Sequence, residues 1–135
     1  MNWLRSAPPE AAATPGILAS RRLAGSALLR MLSRARRDGL PLLLVRLDWP
    51  AEGVHESQRR RFLNALASEL RISDLAWWEP AWKALLLLLE SAEAPAAPLA
   101  RLEQCARVEG ITLHARAAQF PRQGVTLAAL LERVE

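Results

Sequence analysis

Arg71–Glu90 reads RISDLAWWEPAWKALLLLLE, a stretch that joins a polar Arg-x-x-Asp step, a tryptophan-rich turn and an unbroken run of five leucines. Ser73–Trp78 and Trp82–Leu89 are both rich in bulky apolar residues. Between them, Glu79-Pro80 interrupts any ladder, because proline has no N–H to donate and biases the residue before it toward extended geometry. The stretch therefore predicts a β-hairpin. Leu85–Leu89 does not alternate apolar with polar, so its strand is expected to be covered on both faces, or on one face and an edge, and to lie centrally in a sheet. Function is expected near the turn, or at Arg71 and Asp74 beside it.

The rest of the chain supplies what such a hairpin needs. Its 135 residues suit one domain with its own core, and 51% hydrophobic against 24% charged residues is a globular composition. Net charge is +4, almost all of it from arginine, with Lys83 the one lysine. Arginine forks suit phosphate and carboxylate partners. No aromatic-interleaved basic stripe or reader motif accompanies them, so nucleic acid is not the expected partner. Cys105 stands alone without zinc-type spacing, and His55 and His114 have no acids at ligand spacing, so no metal site is expected. No apolar run approaches the roughly 20 residues needed to span a bilayer, and no signal-type apolar region opens the chain. These features together predict a cytoplasmic protein without a membrane partner.

Met1–Ala13, with Pro8-Pro9 and a run of alanines, reads as a flexible leader, and residues 14–135 as the domain. Thr14-Pro15 resembles a helix start, and a helix is predicted from there to Asp38, stopping at Gly39. Its apolar face comprises Leu18, Ala24, Ala27, Leu28, Met31, Leu32 and Ala35, with the arginines mostly outward. LLLVRLDW after Pro41 predicts a buried strand that puts Arg46 and Asp48 on one face near its end, either as ligand-facing groups or as a strand-end ion pair. A second helix is predicted over His55–Arg71, with Arg59, Arg60 and Arg61 near its start. There they either meet an anion or are solvated. A third runs from Leu99 to Glu109, the strand ITLHARAAQF follows, and Thr126 caps a last helix. The order gives a mixed α/β fold of the α+β kind: a ferredoxin-like or polymerase-palm βαββαβ sheet with extra N-terminal and C-terminal helices.

Four separated segments carry a family resemblance. TPGILASRRL is similar to the DxLTGLxNRR lead-in of GGDEF domains, the diguanylate cyclase family, with Leu18, Arg21 and Arg22 retained. RARRDGLPLLLVRLD resembles that family's first strand, whose hallmark ends in Asp-x-Asp. RISDLAWWEPAWKALLLLLE sits where the family has RxxD, five residues, the GGDEF turn and a hydrophobic strand. ITLHARAAQFPRQGVTLAALLERVE resembles the closing strand and helix, so the likeness covers about Thr14 to Glu135.

The departures fall on the chemistry. Pro80-Ala81-Trp82-Lys83-Ala84 stands where the family has its GGDEF turn, and Arg46 stands at the first metal-binding aspartate, leaving Asp48. The glycines allow close backbone approach to nucleotide, and the acids bind metal, roles that proline, tryptophan and arginine do not fill. The segment between the first strand and the second helix is also shorter than the family's, without the positions that hold guanine. The resemblance thus implies a degenerate GGDEF-like domain with no catalytic residues, no metal and no cofactor, hence not an enzyme. Arg71 and Asp74 lie at the family's inhibitory RxxD position, where arginine engages guanine edge or phosphate and the carboxylate accepts from guanine N–H groups of cyclic di-GMP.

The expected function is a signalling or scaffold domain acting by protein interaction, with cyclic di-GMP as a ligand of Arg71 and Asp74. The alternative is a purely structural interaction module without nucleotide, in which Arg-x-x-Asp is a helix C-cap ion pair. Trp77, Trp78 and Trp82 are either interface anchors, with at least one of Trp77 and Trp78 exposed, or core filling a vacant cleft.

Overall fold

The computed structural model describes residues 16–18, 20–50 and 52–135. The leader over residues 1–13 and the Thr14-Pro15 helix start lie outside the described residues. The chain runs α1 (Arg21–Asp38), β1 (Leu42–Asp48), α2 (Glu56–Glu69), β2 (Leu75–Glu79), β3 (Ala84–Glu90), α3 (Ala96–Val108), β4 (His114–Phe120) and α4 (Leu127–Val134). The four strands form one sheet in the order β2-β3-β1-β4, every neighbour antiparallel. This is the predicted βαββαβ arrangement with a helix added at each end.

The hairpin forms as its sequence predicts. β2 and β3 pair from Leu75 with Leu88 to Glu79 with Ala84, around a turn over residues 80–83. Trp82 N–H donates to the Glu79 carbonyl and Lys83 N–H to that of Pro80, and Lys83 takes a positive φ of 50° to bring the chain back. β3 lies between β2 and β1, covered on both faces. Leu85, Leu87 and Leu89 enter one core with Phe62, Leu63 and Leu66 of α2 and Leu102 and Ala106 of α3. Leu86 and Leu88 enter a second with Ala24, Leu28, Leu32 and Ala35 of α1 and Leu130 and Val134 of α4. A strand buried on both sides has no reason to alternate, which explains the leucine run.

The first helix starts later than its sequence suggests. Residues 16–18 are not helical, and Ser20 caps α1 by accepting from Leu23 N–H at 3.4 Å. Leu18, expected on the helix's apolar face, instead bridges to β2: its N–H donates to the Ala76 carbonyl and its carbonyl accepts from Trp78 N–H, each at 2.9 Å. The reason is local. Gly16 sits at φ 88°, a turn that breaks a helix running on from Pro15, and Ser20 is a better cap than anything inside it. The other end is as predicted, with Gly39 at φ 69° closing α1.

Three of α1's arginines turn back onto the fold. Arg21 stands 3.3 Å from Glu79, Arg34 3.6 Å from Glu90, and Arg36 donates to the Val125 carbonyl at 3.0 Å. Among the described residues no helix is long and apolar enough to cross a membrane.

Candidate functional site

Two places collect the residues that the sequence singles out. The first lies where α2 hands over to β2. Asp74 N–H donates to the Arg71 carbonyl at 3.0 Å, closing a short turn. The Asp74 carboxylate then takes two backbone donors: Oδ2 accepts from Arg71 N–H at 2.8 Å and Oδ1 from Glu90 N–H at 2.9 Å. The second bond extends the sheet, because β2 begins only at Leu75 and the Asp74 side chain replaces a strand carbonyl beside the end of β3. Asp74 is therefore a backbone clamp, and the C-cap ion pair with Arg71 does not form among the described contacts. Replacing Asp74 with Ala leaves two N–H groups without acceptors, and a loss of about 2 kcal/mol is expected in urea unfolding. An unchanged midpoint would show that water replaces the carboxylate at no cost.

With its backbone held this way, Arg71 projects an exposed guanidinium that has no hydrogen bond or ion pair among the described residues. It borders a cleft of about 250 Å³ between the α2 end, the β3 end and α3, lined also by Glu69, Asp74, Glu90, Glu93 and Arg101. Arg101, on α3, is held by a two-bond fork onto Glu93 at 2.9 and 3.2 Å. That hydrogen-bonded fork holds the Glu93 carboxyl below its usual range, desolvation opposes it, and the charges of Arg101 and then Arg71 add smaller amounts. The sequence gives no local sign of Arg101. It reaches the cleft only because α2 and α3 pack side by side on one sheet face.

The second place is the C-terminal end of β1 and the hairpin turn beside it. Arg46 and Asp48 share a face, as period two requires, and form a fork: Nε to Oδ2 at 2.9 Å and Nη2 to Oδ1 at 3.3 Å. Arg46 also donates to the Val134 carbonyl at the end of α4, at 3.2 Å, and its Cζ lies 4.6 Å from the Trp82 ring centroid. The Arg46 side chain is only 15% exposed and that of Asp48 32%. The residues present do not fit a divalent cation. The one carboxylate on this strand end is neutralised by arginine, and the turn offers Trp82 and Lys83 where acids are needed.

The tryptophans are distributed unevenly. Trp77 and Trp78 point to opposite faces, but neither is exposed: Trp77 is fully buried in the α1 core, and Trp78 is 5% exposed in the α2 core. The expectation of an exposed anchor in this pair is corrected, because α1 covers one face of β2 and Trp49 the other. Trp49 packs edge-on to Phe62 at 5.3 Å and lies 6.2 Å from Trp78. Trp82 is half-buried beneath Arg46, and Trp49 is half-buried too.

The arginine triplet of α2 is likewise engaged. Arg59 donates to the Val54 carbonyl at 3.0 Å, Arg60 pairs with Glu56 at 2.9 Å and Arg61 with Glu109 at 2.6 Å. Neighbouring acids and a carbonyl thus take the place of the anion considered from sequence. His55 and His114 are exposed, and His114 lies across the ladder from Asp48 at the second place. Cys105 is partly buried on α3, where burial pushes its thiol up from the ordinary range.

No protein-family model matches the sequence, and no curated protein does. Solved structures match in fold. A DGC protein from Thermotoga maritima superposes with a TM-score of 0.70 at 13% identity, over 87% of this chain and 95% of that one. The diguanylate cyclase SiaD of Pseudomonas aeruginosa, solved in complex with its activator SiaC, gives 0.70 at 22% identity over 98% of this chain and 57% of that one. A microbial GGDEF domain solved with cyclic di-GMP gives 0.69 at 19% identity over 95% and 86%. The chain has the GGDEF-domain fold.

Proposed function

We propose that this chain is a catalytically inactive GGDEF-like signalling domain that acts by contact with a protein partner and senses cyclic di-GMP at the Arg71 cleft. The observation that carries inactivity is the Arg46 fork on Asp48, capped by Trp82. A strand end whose carboxylate is already paired with a cation, with an indole beside it, argues against a metal site there. Similar folds reach the same two kinds of partner: the SiaD structure contains an activator protein and another GGDEF domain contains cyclic di-GMP.

The cleft's mixed lining supports the nucleotide. Arg71 and Arg101 are forks for phosphate, while Glu69, Asp74 and Glu93 offer acceptors to guanine N–H groups. Asp74 retains acceptor capacity after its two backbone bonds, since a carboxylate has about four lone-pair directions. The reading without nucleotide is favoured by one fact only, that both Asp74 oxygens already serve the fold.

Two measurements test the proposal. Incubation with GTP and magnesium is expected to yield no cyclic di-GMP, and any turnover by the wild-type chain refutes inactivity. Titration calorimetry with cyclic di-GMP is expected to show saturable heat, weakened at least about tenfold in Arg71→Ala, the loss of a charge-assisted contact. Absence of heat with the wild-type chain would leave the interaction module without a nucleotide.

A further inference from the structure

The two outer edges of the sheet are finished differently. On β2, Leu18 satisfies the outward carbonyl of Ala76 and the outward N–H of Trp78. On β4, Gln119 N–H donates to the Gln123 side-chain oxygen at 2.9 Å, and the Gln119 carbonyl accepts from Gln123 N–H at 2.7 Å. The backbone polar groups of Gln119 therefore point away from β1. Because inward and outward pairs alternate along an antiparallel ladder, those of Ala117 and Ala115 point outward too. Among the described residues, nothing accepts from their two N–H groups or donates to their two carbonyls. Both residues are half-exposed, and neither proline nor a bulge interrupts the strand.

The side chains flanking this open segment differ by face. Toward α2 and α3 they are apolar and mostly small: Leu113, Ala115 and Ala117, packed against the first core. Toward α4 they are His114 and Arg116, both exposed.

We propose that the outer edge of β4 accepts an added strand from a protein partner, an extended segment that alternates apolar with acidic residues. Its apolar side chains lie beside Ala115 and Ala117, and its acids lie beside Arg116, where opposite charges across a strand pair are favourable, and beside His114, whose ring N–H can donate to them. A second copy of this chain fits poorly. A two-fold antiparallel pairing of Ala115 with Ala117 sets the two Arg116 side chains face to face, and pairing Ala115 with itself sets Arg116 against His114. Pairing centred on Ala117 needs Gln119, already closed by Gln123. This inference deepens the protein-contact part of the proposed function and rests on it.

The test uses a fluorescein-labelled Val-Glu-Val-Glu-Val-Glu peptide and the full chain, read by fluorescence anisotropy. Saturable binding is expected, with none for the Val-Lys counterpart. Ala117→Pro removes one outward N–H that the sheet does not use, a substitution edge strands tolerate, and is expected to weaken binding at least about tenfold. Its fold is checked by circular dichroism. If the variant does not fold, hydrogen exchange on the wild-type chain decides: the Ala115 and Ala117 amides slow when the peptide is added, or the proposal fails. Equal binding of both peptides, undiminished binding by Ala117→Pro, or no binding by the wild-type chain each overturns it. A dimer that Ala117→Pro abolishes would assign the edge to a second copy and also overturns it. Cyclic di-GMP titration of Ala117→Pro keeps the two readings apart, since the Arg71 cleft does not involve β4 and its heat is expected to persist whatever the peptide does.

Discussion

Trp77→Ala is expected to lower the unfolding free energy by about 3–5 kcal/mol, roughly a fifth or more of what a domain of this size typically has. The indole is fully buried between α1 and the sheet, in a core with Ala24, Leu28, Leu32, Leu86 and Leu88. Its removal leaves a void among residues fixed from both sides: α1 is anchored by its cap and Gly39, and β2 is paired on one edge with β3 and on the other with Leu18. Neither wall can collapse inward without breaking hydrogen bonds, so the cavity term adds to the lost transfer energy. Trp77→Phe is expected to cost less than half as much. The space remains largely filled, and the buried Nε1 that disappears has no hydrogen-bond partner among the described residues. Urea unfolding of both variants checks the pair, and a loss below about 1.5 kcal/mol for alanine would mean that α1 does not bear on Trp77 as described.

Arg46→Ala is expected to cost about 3 kcal/mol, toward the lower end of the range for breaking a buried pair because Asp48 keeps some solvent. Three contacts go at once: the fork to Asp48, the bond to the Val134 carbonyl and the stacking on Trp82. The remaining carboxylate then faces the carbonyl end of α4, where negative charge is unfavourable. Arg46→Met combined with Asp48→Ala is expected to recover more than half of that loss, since removing both charges also removes their desolvation cost. A double-mutant cycle by urea unfolding measures the coupling. A coupling below about 0.5 kcal/mol would show that the pair is only a surface contact and that the strand end is open. The outcome bears on function as well as stability, because the same fork excludes a cation from this position.

The hairpin, the sheet order and the helix faces were legible in the sequence because each rests on a local period. The uninterrupted Leu85–Leu89 run implied cover on both faces or on one face and an edge, and proline after Glu79 fixed the turn. The start of α1 was not legible. Thr14-Pro15 reads as the helix start, whereas the cap is Ser20, because Leu18 finds a place beside β2, about sixty residues away along the chain. Of the candidate site, Arg71 and Asp74 stand out by their resemblance to the RxxD position, yet the backbone role of Asp74 depends on Glu90, a contact between strand ends. Arg101 carried no signal, since its position follows from helix packing. The tryptophans misled for a related reason: adjacent aromatic residues on a strand suggest one exposed side only while one face of the sheet is bare, and here helices cover both.

The clamp made by Asp74 has a consequence for how the hairpin finds its register. A run of five leucines looks the same after a slip of one position, so the apolar pattern of β3 carries almost no phase information. An ordinary half-buried strand would expose its apolar set on slipping and so correct itself. Here a displaced β3 would still present leucine to both layers. The phase must instead be written at the ends, by the bond from Glu90 N–H to Asp74 at one and by the turn over residues 80–83 at the other. One carboxylate thus acts as an index mark on an otherwise featureless ruler.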